Sequence, residues 1–128
     1  MLINNIIFCD NTQQAPSPDT QQDVTILINP MPELVPPFFP GLLSFSVSFG
    51  FDDVQTGKTY QCDLVFCDPS ENVLAHVHFP LSLQNEATSV TCCADLRNVR
   101  LESEGLHTVK ITVDQISASA QIMVRKKG

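Results

Sequence analysis

Three histidines are the residues in this sequence best suited to hold a metal ion. His76 and His78 lie two positions apart in a run typical of a β-strand, so their rings point to the same face. Such a pair binds zinc when a third ligand joins it, and His107 or a cysteine could supply one. The sequence has no C-x-x-C or H-E-x-x-H pattern to complete the site. A position on the polar face of an edge strand explains His76 and His78 better than a metal site does. We therefore predict no metal site and no cofactor.

Five cysteines are the next candidates for chemistry: Cys9, Cys62, Cys67, Cys92 and Cys93. Their odd number and irregular spacing argue against a disulfide framework and are typical of reduced thiols in the cytosol. Neighbouring strand residues face opposite sides, so we expect one of the adjacent pair to pack inward and the other outward. The sequence also lacks a G-x-S-x-G motif, a P-loop and a G-x-G-x-x-G motif. We therefore predict no catalytic residue, and a metal- or thiol-dependent enzyme is only the second alternative function.

The segment best suited to contact a partner is residues 30–41, where five of twelve residues are proline. Proline donates no backbone hydrogen bond, so this segment should run as polyproline-like backbone or as coil at a sheet edge. Phe38 and Phe39 are held stiffly among these prolines and would lose little freedom on binding. Adjacent side chains point opposite ways, so one ring should plug the fold while the other stays free for contact. The predicted partner-binding residues are Val35, Pro37, Phe38 and Phe39.

These candidates must be carried by β-strands, because apolar residues recur with a period of two and not with helical spacing. In residues 42–51, large apolar side chains at the odd positions alternate with mainly small ones at the even positions. This pattern predicts a strand with one face on a core and the other in water. Similar runs are 2–9, 24–28, 59–67, 73–79, 87–96 or beyond, 107–113 and 116–124. Pro80 makes the run 73–79 an edge strand or ends it. Seven to nine strands without a helix predict an all-β, antiparallel β-sandwich.

The 128 residues fit one domain, 1–128, without an internal linker or repeat. Residues 11–23 are mostly polar and predict a flexible surface loop. Residues 125–128 predict a basic, solvated tail. A core enclosed between two sheets has no built-in reactive cleft.

The charge balance bears on partners and compartment. Seven basic and fourteen acidic residues give a net charge of −7, while 43% of the residues are apolar and only 16% are charged. This composition excludes the highly charged disordered class. Nucleic acids and anionic membranes require clustered lysine and arginine, so we predict no direct contact with either. The first residues lack the features of a secretory signal, and no apolar run approaches the ~18–20 residues of a membrane span. We expect a cytoplasmic protein.

Three stretches carry a family resemblance. Pro-Phe-Phe-Pro at 37–40 leads into Phe-Ser-Val-Ser-Phe at 45–49, the strand 60–66 is followed by Asp-Pro at 68–69, and 105–114 has the pattern of a penultimate sandwich strand. Their order resembles the immunoglobulin-like β-sandwich proteins, in particular small single-domain bacterial and phage-associated sandwiches without an assigned function. The chain has no tryptophan and lacks the Cys…Trp…Cys spacing of antibody-type domains. The resemblance therefore implies a fold and no activity.

These observations lead us to expect a non-enzymatic β-sandwich that binds another protein or copies of itself. The contacts would come from a sheet edge and the Pro/Phe loop. The first alternative is a small acidic phage-type inhibitor, a nucleic-acid decoy that binds a host protein. That function requires the negative charge to lie on one face, and its binding should weaken strongly with salt.

Overall fold

The computed structural model describes residues 2–16, 23–55, 57–82 and 89–127. These residues form nine β-strands and no helix, which confirms the all-β prediction at the upper end of its strand count. The strands are β1 (Ile3–Pro16), β2 (Asp23–Pro30), β3 (Glu33–Leu34), β4 (Gly41–Asp52), β5 (Thr59–Cys67), β6 (Val73–Ser82), β7 (Ser89–Leu101), β8 (Gly105–Val113) and β9 (Ile116–Val124). No helix capable of spanning a membrane occurs in these described ranges.

Two sheets form the sandwich. The first sheet has the strand order β2-β1-β4-β7, and the second has the order β3-β9-β8-β5-β6. All pairs are antiparallel except β3 with β9, so the predicted antiparallel sandwich is confirmed and carries one short parallel pairing. This pairing covers only Glu33 and Leu34. Pro32 and Pro36 flank the two residues, and neither proline can donate the backbone hydrogen bond that would extend the ladder.

The core lies between the sheets and is built from the faces that alternation predicted. The inward side chains of β4 from Phe45 to Phe51 are at most 1% exposed, and those of β5 from Tyr60 to Phe66 at most 2%. The rings of Phe45 and Phe66 join the two sheets, with centroids 5.3 Å apart and planes at 67°. The buried Tyr60 hydroxyl accepts a hydrogen bond from the Gln55 backbone N–H at 2.9 Å. The core is therefore aromatic at its centre, and the hydroxyl of Tyr60 is hydrogen-bonded.

The other face of β4 differs from the prediction, because much of it is covered. Ser46 is fully buried and Ser48 is 3% exposed, although the alternation suggested a face in water. Ser46 donates from Oγ to Asp95 Oδ1 on β7 at 2.5 Å. Further along, Thr25 and Leu27 of β2 line the same concave surface as Ser48. The small residues of this face therefore fit a covered surface of a central strand.

The predicted flexible loop at 11–23 is wrong at both ends. Residues 11–16 continue β1 and residue 23 begins β2, with pairing from Cys9 opposite Pro30 to Pro16 opposite Asp23. Pairing of β1 with β4 ends at Cys9, so this part is a two-stranded ribbon. Polar residues are compatible with a ribbon because the partner strand satisfies its backbone groups. Residues 17–22 of the predicted loop lie outside the described residues.

The remaining strand ends follow the sequence signals closely. Asp68 Oδ1 accepts hydrogen bonds from the backbone N–H groups of Ser70 and Asn72, both at 2.9 Å. The bonds from Asn72 are the main cause that lowers the pKa of Asp68. The β6 strand runs through Pro80 and forms an edge of the second sheet. Of the two predictions for this run, the edge strand is therefore confirmed, and the strand does not end at Pro80. The first two residues of the predicted strand 87–96 lie outside the described residues, and β7 extends to Leu101.

Candidate functional site

The two phenylalanines of the proline-rich segment point apart, as predicted. Phe39 is half-buried and packs against the core, whereas Phe38 is 66% exposed. The chain turns tightly before β4, so that a Cβ added to Gly41 would lie 2.2 Å from the Phe38 carbonyl oxygen. Only glycine tolerates such a close backbone approach. The turn therefore holds Phe38 outside the fold.

The other two predicted contact residues, Val35 and Pro37, also lie at the surface. Val35 is 41% exposed and Pro37 is exposed, while Pro36 between them is buried. Leu34 is fully buried beside β9 and anchors the segment. Three of the four predicted residues are thus accessible to a partner, and Phe39 serves the core.

Most of the exposed apolar surface gathers at one end of the sandwich. At this end, the last residue of β7 pairs with Gly41, and the last residue of β9 pairs with Gly105. Five of the eight large apolar side chains that are exposed in the described ranges lie there. We call this group the apolar end: Val35, Phe38, Leu42, Val73 and Leu106. Large apolar side chains that are exposed in a group are candidates for contact with a partner.

Three residues of the apolar end were not predicted from the sequence. Leu42, Val73 and Leu106 are 58%, 61% and 47% exposed, and each lies at or next to the first residue of its strand. Alternation carried a usable signal, because Leu42 and Leu106 are out of phase with the inward residues that follow them. A large apolar residue in an outward position is the pattern that indicates this kind of surface.

Paired charges lie around the apolar end. Arg125 Nε contacts Glu33 Oε2 at 2.7 Å, and Arg100 Nε contacts Glu102 Oε1 at the same distance. Glu104 accepts a hydrogen bond from the Lys126 backbone N–H at 2.5 Å. The predicted basic tail is exposed over residues 125–127, and residue 128 lies outside the described residues. Glu33 and Glu102 are thus each paired with an arginine, and the apolar end has a polar border.

Comparison with protein-family models gave no match, and comparison with the curated proteins gave no relative with significant similarity. The arrangement of residues must therefore carry the functional argument by itself. Fold alone does not specify a function, since β-sandwiches carry many.

His76 and His78 share a face as predicted, and both contact one carboxylate. His76 Nε2 lies 2.5 Å from Asp63 Oδ1, and His78 Nδ1 lies 3.4 Å from the same oxygen. The hydrogen bond from His76 is the largest cause that lowers the pKa of Asp63. Across the described ranges, no group of three or more His, Cys, Asp or Glu side chains is placed to hold a metal ion. The contacts are those of polar pairs across an edge strand.

The thiols divide into buried and partly accessible ones. Cys92 packs inward at 6% exposure while its neighbour Cys93 is half-buried on the other face, which confirms the predicted alternation. Burial raises the pKa of Cys62 to about 11 and that of Cys92 to about 12. Burial also raises the pKa of Cys9. These three side chains are thiols at neutral pH and lack the thiolate that nucleophilic chemistry requires.

The acidic residues are spread over the molecule. Asp95 lies 3.7 Å from Arg97 on β7, and Asp114 lies 3.5 Å from Lys58 at the end opposite the apolar end. Asp63 faces the histidines on the second sheet. A nucleic-acid decoy requires closely spaced negative charge on one face. The described carboxylates do not favour that alternative.

Proposed function

We propose that this protein is a non-enzymatic binding module that recognises another protein through its apolar end. One observation carries the proposal: Phe38 is 66% exposed, the most of any large apolar side chain in the described ranges, and it lies at the same end of the sandwich as four other exposed apolar side chains. Aromatic anchors contribute much of the binding energy at protein interfaces. The turn before Gly41 already fixes the backbone at Phe38, so binding orders little additional chain.

The border of paired charges supports the same function. Interfaces commonly have an apolar centre and a polar rim, and rim charges affect association rate more than affinity. Binding at the apolar end should therefore change little between low and moderate salt. A decoy held by its net charge would instead lose its partner as salt rises.

Two matched substitutions test the proposal. Phe38→Ser removes the most exposed ring, and Leu2→Ser removes a comparable side chain, 62% exposed, at the opposite end. Each tagged variant is used to capture partners from native lysate at low and moderate salt, with quantitative mass spectrometry as the readout. We expect the amount of captured partner to fall at least tenfold with Phe38→Ser, because removing an anchor side chain from an interface commonly weakens binding by that much. We expect no loss with Leu2→Ser. Equal capture by the two variants would refute the apolar end as the binding surface.

Self-association is a second candidate, and the β2 edge favours it. β2 is the outer strand of the first sheet, and its residues 24–28 contain neither charge nor proline. Ile26 and Ile28 on this strand are 43% and 41% exposed. Natural edges usually carry charge, proline or a bulge that prevents strand addition. Among the described residues, no third strand pairs with the ribbon that β2 forms with the end of β1, and an antiparallel copy of β2 would supply one.

Light scattering over a range of concentrations tests this second candidate. We expect a mass above 14.1 kDa at high concentration for the wild type and a monomer for Ile26→Lys. Ser82→Lys is the matched control, because it adds the same charge at an exposed position of a different edge strand, β6, outside the apolar end, and should leave the mass unchanged. A wild type that stays monomeric throughout would exclude self-association and leave the apolar end unaffected.

We place the protein in the cytoplasm. All five cysteines are free, as is usual in a reducing compartment. Alkylation of cell extracts under denaturing conditions should label all five thiols without prior reduction. Labelling only after reduction would contradict this location.

A further inference from the structure

A second feature, independent of the apolar end, is the ribbon that the end of β1 forms with β2. The ribbon consists of residues 11–16 of β1 and 23–28 of β2, which pair with each other and, among the described residues, with no further strand. Pairing of β1 with β4 ends where Cys9 lies opposite Ser46. The ribbon therefore leaves the first sheet at this point, and its direction decides what it covers.

The ribbon folds back over the outer face of the first sheet. A straight ribbon would place Thr25 beside Gly41, in line with the last pairs of β1 and β4. Thr25 instead lines one depression of about 390 Å³ together with Ser89, which pairs with Asp52 at the opposite end of β4. Gly41 and Asp52 are eleven residues apart, roughly 36 Å at the usual rise per strand residue, and a depression of this size is far shorter. The side of the ribbon that carries Thr25 therefore faces the sheet.

The ribbon turns back at one cross-strand position. Asp10 and Asn29 stand opposite each other there, and the ladder between β1 and β2 skips this position. Asn29 has φ of 54°, a left-handed conformation that asparagine tolerates better than most residues. Its side-chain Nδ2 donates a hydrogen bond to Asp10 Oδ2 at 2.6 Å. The left-handed backbone and this hydrogen bond together form a hinge.

The thiol of Cys9 is shielded next to this hinge. Cys9 pairs with Ser46, and both side chains point away from the core, yet both are fully buried. Cys9 is not a member of the apolar cluster between the sheets. The backbone N–H of Asn11, the first residue of the ribbon, donates a hydrogen bond to its sulfur. The burial of this thiol therefore depends on the closed position of the ribbon.

The ribbon is attached weakly to the sheet that it covers. Within the part of the chain that the structure describes, no side-chain hydrogen bond or ion pair joins it to β4 or β7, and none of its apolar side chains belongs to the core. The hydrogen bond from Gln14 Nε2 to Thr25 Oγ1 at 3.0 Å lies within the ribbon itself. Segments with few buried apolar contacts open at a lower free energy than core strands. The ribbon is therefore the segment of the first sheet that opens most easily.

We propose that the ribbon is a hinged flap, which swings open about Asp10 and Asn29 as one unit while the two sheets stay folded. Its own ladder holds it together during this motion. Opening breaks the hydrogen bond between Asn11 and Cys9 and uncovers the outer face of β4. A partner that contacts this face binds the open state and shifts the population toward it.

Thiol labelling of the whole protein tests the flap. Cys9 reports on its opening, whereas Cys62 and Cys92 lie between the sheets and report on global unfolding. Iodoacetamide is added at pH 8 at several urea concentrations below the unfolding midpoint, and peptide mass spectrometry follows each thiol. We expect Cys9 to be labelled at least about tenfold faster than Cys62 and more slowly than the half-buried Cys93.

The urea dependence distinguishes the two kinds of opening. The rate at Cys9 should change little with urea, because a hinge motion exposes little surface, and the rate at Cys62 should rise steeply. Equal rates and equal urea dependence for Cys9 and Cys62 would overturn the proposal, since the flap would then open only when the sandwich unfolds. A rate at Cys9 equal to that at Cys93 would overturn the closed position.

Matched variants locate the hinge. Asn29→Asp keeps the shape of the side chain but places a second carboxylate against Asp10 in place of the N–H donor. We expect the rate at Cys9, relative to Cys62, to rise about three- to tenfold because one hydrogen bond is lost. Asn98→Asp is the control, because Asn98 is also left-handed, with φ of 53°, and lies on β7 away from the hinge. An unchanged ratio in Asn29→Asp, or an equal rise in both variants, would refute the hinge.

Discussion

Replacing Phe38 and Phe39 one at a time should separate binding from folding. Phe38 is 66% exposed, so about a third of its surface is buried. Full burial of a phenylalanine stabilises a protein by about 1.5–3 kcal/mol, which gives about 0.5–1 kcal/mol for Phe38→Ala. Phe39 is half-buried against the core, and Phe→Ala costs about 3–5 kcal/mol where burial is complete. We therefore expect Phe39→Ala to lower the free energy of unfolding by about 2 kcal/mol.

Urea unfolding measures this difference. With an m-value of about 2 kcal/mol/M, the midpoint should fall by about 1 M for Phe39→Ala and by about 0.25–0.5 M for Phe38→Ala. Partner capture should show the reverse order, with the larger loss for Phe38→Ala. Equal midpoint shifts for the two variants, or a larger shift for Phe38→Ala, would refute the assignment of one ring to the core and the other to the surface.

Three further predictions concern single titratable or thiol groups. The hydrogen bond from His76 lowers the pKa of Asp63, so its stabilisation is present above about pH 4 and lost as the pH falls through the lowered value. Because the Asp63 side chain is partly exposed, the free energy of unfolding at pH 6 should be larger for the wild type than for Asp63→Asn by under about 1 kcal/mol. Urea unfolding from pH 3 to 6 should show this difference vanish in acid. Iodoacetamide at pH 8 should label Cys93 well before Cys92, whose pKa is about 12, as followed by peptide mass spectrometry; equal rates would contradict the burial of Cys92. His107 is buried, its Nδ1 atom lies 3.0 Å from the Gly105 carbonyl oxygen, and its Nε2 atom has no partner among the described residues. His107→Phe therefore removes one hydrogen bond and should lower the free energy of unfolding by about 1 kcal/mol in urea unfolding; a loss above about 3 kcal/mol would contradict this account.

Alternation predicted the inner faces of the strands because burial there depends on one strand at a time. Phe45 to Phe51 and Tyr60 to Phe66 pack as their spacing required. The boundaries of β5 and β9 also agree, since turn residues lie next to each strand. Local chemistry decides these features, and the sequence displays it directly.

Features that depend on distant segments could not be predicted in this way. Ser48 alternates with apolar residues like a solvated serine, yet it is 3% exposed on a central strand that lies between β1 and β7. Residues 11–16 are polar enough for a loop, and their pairing with β2 is what makes them a strand. For Phe38 and Phe39, opposite directions were predictable, but which ring faces inward depends on the turn before Gly41.

The length of β4 separates the apolar end from the irregular part of β1. Leu42 is the second residue of β4, and Gly50 lies eight residues further on, a span of roughly 26 Å at the usual rise per strand residue. The register shift of β1 lies beside Gly50, at the far end of this span. A protein seated against Leu42 therefore leaves that irregular stretch uncovered.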